Sequence, residues 1–167
     1  MQSTQISQWM TGGLLFFTMV ACTQTAQPPT APSADQAKPT NATVISLTQT
    51  GCQFLEAEAK NHQFAPTRKE DCETTNAKTF NDRQSGFKPL KLKAGEYVFR
   101  VTNQNVPYEL GFYLRGEGIS QATLPKVSGG GLTKGVSQDY RVTLKPGKYR
   151  FSCPLNPTPD YPLEVEA

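Results

Sequence analysis

Few side chains in this sequence could do metal or nucleophilic chemistry, and their positions restrict what that chemistry could be. There are four cysteines, Cys22, Cys52, Cys72 and Cys153, and a single histidine, His62. All three methionines, Met1, Met10 and Met19, fall within the first twenty residues. Thiolate, imidazole and thioether are the donors that copper and zinc favour. Ser-His or Cys-His catalysis would have to run through His62, which lies in the polar stretch KNHQF with no nucleophile pattern around it. The adjacent acids Glu70 and Asp71 suit the start of a helix better than an acid/base pair. No enzyme signature emerges.

The cysteines divide by context. Cys22 closes MVAC at the end of an apolar run, Leu14 to Cys22, inside a stretch with no acidic or basic residue before it. That run is far short of the roughly 20 apolar residues a spanning helix needs. It reads as the apolar part of an export signal, although it lacks a positive n-region. Ala21-Cys22 matches a lipoprotein cleavage box, in which the cysteine is lipidated and becomes the new N-terminus. Export to an oxidising space then favours a bridge between Cys52 and Cys72, twenty residues apart. Such a loop contributes roughly 3 kcal/mol in the chain-entropy account. Rival pairings would use Cys153, and they are disfavoured if Cys153 sits inside the sandwich with Phe151 and Tyr149, where it would remain as the free thiol. A zinc site drawn from Cys52, His62, Cys72 and Asp71 is the rival use of the first pair, but its spacing matches no C-x-x-C arrangement.

The chain divides into three regions: residues 1–21 as export signal, 22–42 as tether and 43–167 as one folded domain. The tether sequence TQTAQPPTAPSADQAKPTNA has four prolines and no aromatic residue. It cannot bury enough apolar surface to offset its ordering entropy and is expected to be disordered. As a loose coil it would span on the order of 25 Å. The whole chain of 167 residues carries a net charge of only +3, which argues against a nucleic-acid partner.

From Thr43 onward the apolar residues recur mostly with a period of two. Leu90 and Leu92 share a face, as do Tyr97, Phe99 and Val101. The same holds for Tyr108, Leu110, Phe112 and Leu114, for Tyr140, Val142 and Leu144, for Tyr149, Phe151 and Cys153, and for Leu163 and Val165. TVISL around Val44 begins the set. Such alternation means half-buried antiparallel strands, and seven or so of them between turns at Ala94-Gly95, Asn103 to Pro107 and Pro146-Gly147 describe a β-sandwich. One segment departs from the pattern. Thr67 with Glu70 forms a capping-box pattern, and Gly86 can act as a helix stop, so a surface helix is expected from Arg68 to Gln84, pinned at Cys72. The glycine-rich run from Gly116 to Gly135 lacks the spacing of a phosphate-binding loop and reads as a flexible connection. Lys91, Lys93, Arg100, Arg115, Arg141, Lys148 and Arg150 alternate outward and could form one basic face.

Two stretches together resemble the cupredoxins, the fold of plastocyanin and azurin. FKPLKLKAGEYVFRVTNQNVPYELGF is similar to the family's central strand pair. VTLKPGKYRFSCPLNPTPDYPLEV is similar to its last hairpin, with strand, Pro-Gly turn, strand, cysteine, ligand loop and final strand. The match runs from Phe87 to Ala167. It implies an all-β, Greek-key β-sandwich of cupredoxin type with one inserted surface helix, preceded by the signal segment and linker. It also implies a type 1 copper ligand at the position of Cys153 and a histidine where Tyr108 stands. A blue-copper centre takes His₂Cys with a weak axial ligand. The loop PLNPTPDYP offers neither histidine nor methionine, and a chain cut before Cys22 has no methionine at all.

The expectation is therefore a lipid-anchored, exported cupredoxin-like module without type 1 copper and with no cofactor. It would face the periplasm or cell exterior, hold the membrane through Cys22 and meet an unidentified protein partner. Tyr108 and Cys153 are its candidate binding residues. The alternative is an electron-transfer or copper-handling protein with an atypical site around Cys153.

Overall fold

A computed structural model describes residues 41–58 and 60–167. The export signal, Cys22 and the tether up to residue 40 lie outside the described residues. Among the described residues, nine strands form two sheets. In chain order they are β1 (Thr43–Thr50), β2 (Gln53–Phe54), β3 (Leu90–Lys93), β4 (Gly95–Asn103), β5 (Leu110–Gly116), β6 (Val127–Leu132), β7 (Ser137–Leu144), β8 (Gly147–Ser152) and β9 (Tyr161–Glu166). A short helix α1 (Leu55–Glu58) and the longer α2 (Lys69–Arg83) stand between β2 and β3.

One sheet has the order β2-β1-β4-β7 and the other β3-β9-β8-β5-β6. β1 runs parallel to β4, and β3 runs parallel to β9, while the remaining pairings are antiparallel. The chain crosses from sheet to sheet at β2–β3, β3–β4, β4–β5, β6–β7 and β7–β8, as in a Greek-key sandwich. The alternation read from sequence is the mechanism. Phe99, Val101, Phe112, Leu114, Tyr140, Leu144, Tyr149, Phe151, Leu163 and Val165 all point into the space between the sheets and are buried. Phe54 ties the layers together edge-on, with ring centroids 5.3 Å from Phe151, 5.8 Å from Tyr161 and 6.2 Å from Phe112. Such edge-to-face pairs add to what burial alone contributes.

The strand registers define two ends. Thr43, Gly95, Gly116, Leu144, Gly147 and Glu166 lie at the lower end, and Gln49, Asn103, Leu110 and Cys153 at the upper one.

Helix α2 lies within one residue of its expected bounds, but its cap is shifted. Arg68, not Thr67, is the N-cap residue, and Asp71, not Glu70, supplies the carboxylate. Its Oδ2 accepts the Thr67 N–H at 2.8 Å, the Thr67 hydroxyl at 2.9 Å and the Arg68 N–H at 3.2 Å. These bonds favour the charged carboxylate, so its pKa falls below the usual value. The helix has almost no apolar face. Cys72 and Arg83 are its buried residues, so it is held by covalent and polar contacts.

The run from Gly116 to Gly135 is not a flexible connection. It contains a 3-10 turn, Gly118–Ala122, and then β6, which pairs with β5. Gly116, Gly129 and Gly130 in this run, and Gly111 on the paired strand, have no room for a Cβ. A Cβ on Gly129 would sit 2.9 Å from the Tyr140 ring and one on Gly111 2.5 Å from the Gly129 carbonyl. The middle of β6 lacks side chains where its neighbours come too close.

Candidate functional site

At the upper end, Cys153 follows β8 immediately, and the alternation that buries Tyr149 and Phe151 buries it as well. Its Sγ accepts the Gly111 N–H at 3.2 Å. Its own N–H donates to Thr158 Oγ1 at 2.9 Å, and its carbonyl accepts the N–H of Asn156 at 3.2 Å and of Thr158 at 3.3 Å. The proline loop is thus wrapped around the cysteine backbone. Burial pushes the thiol pKa up, against the opposing pull of the Gly111, Leu155 and Asn156 N–H groups and the Gln49 amide. Such a thiol is protonated at neutral pH and a poor nucleophile.

Tyr108 does not open a strand as the alternation suggested, because β5 begins at Leu110. It belongs to a turn built by Asn103, whose Oδ1 accepts the Val106 N–H at 2.9 Å and whose Nδ2 donates to the Val106, Tyr108 and Leu132 carbonyls. The turn presents the half-buried Tyr108 toward the cysteine loop. Its hydroxyl donates to Asn156 Oδ1 at 3.0 Å. Burial first, then the negative charges of Cys153, Asp71 and Glu70, push its pKa up to about 12.

Asn156 is the hub of this end, and nothing in the sequence singles it out. Fully buried, it accepts the Cys52 N–H at 3.3 Å as well as the Tyr108 hydroxyl, and its Nδ2 donates to the Thr50 carbonyl at 3.0 Å. Beneath it, Cys52 and Cys72 form the expected disulfide. Cys72 Sγ lies 3.1 Å from Asn156 Oδ1, a sulfur–oxygen contact, since a bridged sulfur carries no proton. The disulfide overturns the zinc drawing, because both thiolates are consumed. His62 is engaged elsewhere, with Nε2 3.0 Å from Glu58 Oε2 and its ring stacked on Phe64 at 5.3 Å.

A type 1 copper centre would need two imidazoles beside the Cys153 sulfur. This end offers a neutral phenol, two carboxamides, Asn156 and Gln49, and backbone N–H groups, so the donor set does not fit. Among the described residues no three His, Cys, Asp or Glu side chains gather as a metal set. Two buried polar atoms, Gln49 Oε1 and Thr50 Oγ1, have no hydrogen-bond partner among the described residues, while Gln49 Nε2 donates to the Gly111 carbonyl at 2.7 Å.

The raised pKa values have a consequence for stability. A group whose pKa is higher folded than unfolded stabilises the fold below its unfolded value and loses that contribution as pH rises toward the folded one. Cys153 is raised from an ordinary 9.0, and Tyr108 and Tyr140 from 10.0 to about 12. The urea midpoint is therefore expected to fall progressively as pH rises from 9.0 toward 12, with Cys153 alkylation slow until the chain unfolds. A flat midpoint over that window, or fast native labelling, would contradict the buried placement of these groups.

A second cluster lies beside the disulfide. Glu58 is buried in an ion pair with Arg83, whose Nε donates to Oε2 at 2.9 Å and whose NH2 approaches Oε1 at 2.5 Å. Tyr161 also donates to Oε1. Burial, then the Glu58 charge, drives the Tyr161 pKa far above the usual phenol value. Arg83 also donates to Asn76 and Thr79 and lies over the Phe64 ring at 5.0 Å. Its donors are spent on the fold. Nothing in the sequence spacing of these residues points to their meeting.

The single basic face does not form. Arg100 and Arg141 are on one sheet, and Lys91, Lys93, Arg115, Lys148 and Arg150 on the other. Arg100 pairs with Asp139 at 2.7 Å, Arg115 with Asp160 at 2.7 Å and Arg150 with Glu117 at 2.5 Å. Lys91 and Lys148 both neighbour Glu164 across the register, and Lys93 neighbours Glu166. The alternating cations are visible in sequence, but their acidic neighbours come from strands distant in the chain.

The fold is an all-β, two-sheet Greek-key sandwich with the element order that the cupredoxin resemblance implies. Both resembling stretches fold as the resemblance implies: β4, the Asn103–Pro107 turn and β5 in one, and β7, a tight turn, β8, Cys153, the proline loop and β9 in the other. No family model matches the sequence, and no curated protein matches it. Among solved structures, auracyanin B is similar, with 16% identity, a TM-score of 0.47, and coverage of 78% of this chain and 93% of that one.

Proposed function

We propose that this protein is a lipid-anchored, exported cupredoxin-like module that binds or assembles with a protein partner and carries no type 1 copper. The observation that carries this reading is the upper end itself. Where the family resemblance calls for an imidazole, Tyr108 is hydrogen-bonded to Asn156 over a disulfide. That closed, largely buried polar network supports a binding or assembly module rather than a redox centre. The course of β1 supports the orientation. The strand starts at the lower end with Thr43 and runs to Thr50 at the upper end. A tether reaching Thr43 from a lipidated Cys22 would leave the Cys153 end facing away from the membrane.

Copper titration of the purified domain 43–167, followed by visible absorption and metal analysis, tests the reading. No stoichiometric copper and no intense blue band are expected. A tight, blue complex would overturn it. The copper-handling alternative draws on the Gln49 amide, which contacts the Cys153 sulfur and whose Oε1 has no hydrogen-bond partner among the described residues. It requires that copper binds and that Cys153→Ala abolishes binding while the fold persists.

A further inference from the structure

At the lower end, the 3-10 turn Gly118–Ala122 carries Ile119 with 96% of its surface exposed, far more than any other large apolar residue described. Isolated exposed apolar side chains are ordinary on protein surfaces. Three features separate this one. The turn is held in place: Glu117 donates its N–H to the Lys148 carbonyl at 2.9 Å, and the turn folds back so closely that a Cβ on Gly116 would collide with the Ser120 carbonyl. The eight residues GISQATLP, 118 to 125, carry no charge, and Lys126 comes directly after them. Finally, the turn stands at the end of the sandwich where β1 begins, since Gly116 pairs with Tyr149 next to the β7–β8 turn and Thr43 pairs with Tyr97 near the start of β4.

We propose that this turn rests in the headgroup region of the bilayer, with Ile119 as the inserted side chain, so that the domain stands on the membrane on its lower end. This rests on the lipid-anchor reading above. One side chain offers too little area for a specific protein interface. At a bilayer, an anchored domain needs no more than a weak second contact, because the tether makes that contact intramolecular and its effective concentration high. Lys126 and Lys148, both exposed beside the turn, can hold their ammonium groups at the headgroup level while Ile119 dips below.

The protein's only tryptophan is Trp9, which a cut before Cys22 removes, so a single introduced indole reports alone. Ile119→Trp and, at the opposite end, Leu155→Trp are made in the mature chain, purified from the export host and reconstituted in vesicles containing brominated phosphatidylcholine. The Ile119→Trp protein is expected to show blue-shifted emission that loses most of its intensity to the bromines, while the emission of Leu155→Trp is unaffected. If intact mass shows the acyl groups and the protein floats with the vesicles while Ile119→Trp is not quenched, the contact is refuted and the anchor stands. Equal quenching of both variants refutes the orientation and with it the contact. A chain without acyl mass that stays in solution overturns the anchor and this inference together.

Discussion

Glu58→Ala is expected to destabilise the domain by about 3–5 kcal/mol, the usual cost of stranding one partner of a buried ion pair. Glu58 and Arg83 have side-chain exposures of only 2% and 4%. Removal of the carboxylate leaves the guanidinium buried without a counter-charge and deprives the Tyr161 hydroxyl of its acceptor. His62 loses its Glu58 contact as well. Urea unfolding at neutral pH measures the change. The double variant Glu58→Leu with Arg83→Met should recover most of it, because two apolar side chains of similar volume in place of a buried pair are often neutral or better. A single-variant loss below about 1 kcal/mol, the range of an exposed pair, would mean that water reaches the cluster.

Removing the disulfide has the next largest effect. Cys52→Ala with Cys72→Ala is expected to cost roughly 3 kcal/mol from the twenty-residue loop it closes. The loss should also be uneven. Helix α2 buries only Cys72 and Arg83, and its large apolar residue Phe80 is 37% exposed. Without the bridge it retains Asn76 on the Pro157 carbonyl at 2.5 Å and the Arg83 contacts. Hydrogen exchange should therefore speed up across residues 69–83 before it does in β4 or β8. Equal protection of the helix in bridged and unbridged protein would show that the polar contacts alone hold it.

These two features differ in how far the sequence announces them. The disulfide is expected from cysteine count and an exported context. The ion pair is not expected from anything local. Glu58 sits in a four-residue helix and Arg83 at the far end of α2, and only the docking of that helix on Cys52, through the disulfide and the Asn76 and Arg83 bonds to its carbonyl, brings them together. The site has the same division. The period of β8 places Cys153 on the inward face, since alternation is a property of consecutive residues. Asn156 escapes notice in the sequence, because its partners, Thr50, Cys52 and Tyr108, lie far back in the chain. The β6 strand is hidden for a related reason. Gly129 is set by the Tyr140 ring from the opposite sheet and Gly130 by the Glu109 carboxylate, and three consecutive glycines in the middle of a six-residue strand leave no period to read.

By itself, then, the amino-acid order determined what is local or compositional. It set the alternating strands, the position and length of α2, and the lack of histidine and methionine from Phe87 to the C-terminus, and it favoured the pairing of Cys52 with Cys72. Tertiary structure alone decided which charges neutralise one another across the registers, which amide closes the upper end, and that Ile119 shares an end with the start of β1. Those outcomes depend on distances between residues tens of positions apart, and it is the folding of one sheet onto the other that sets such distances.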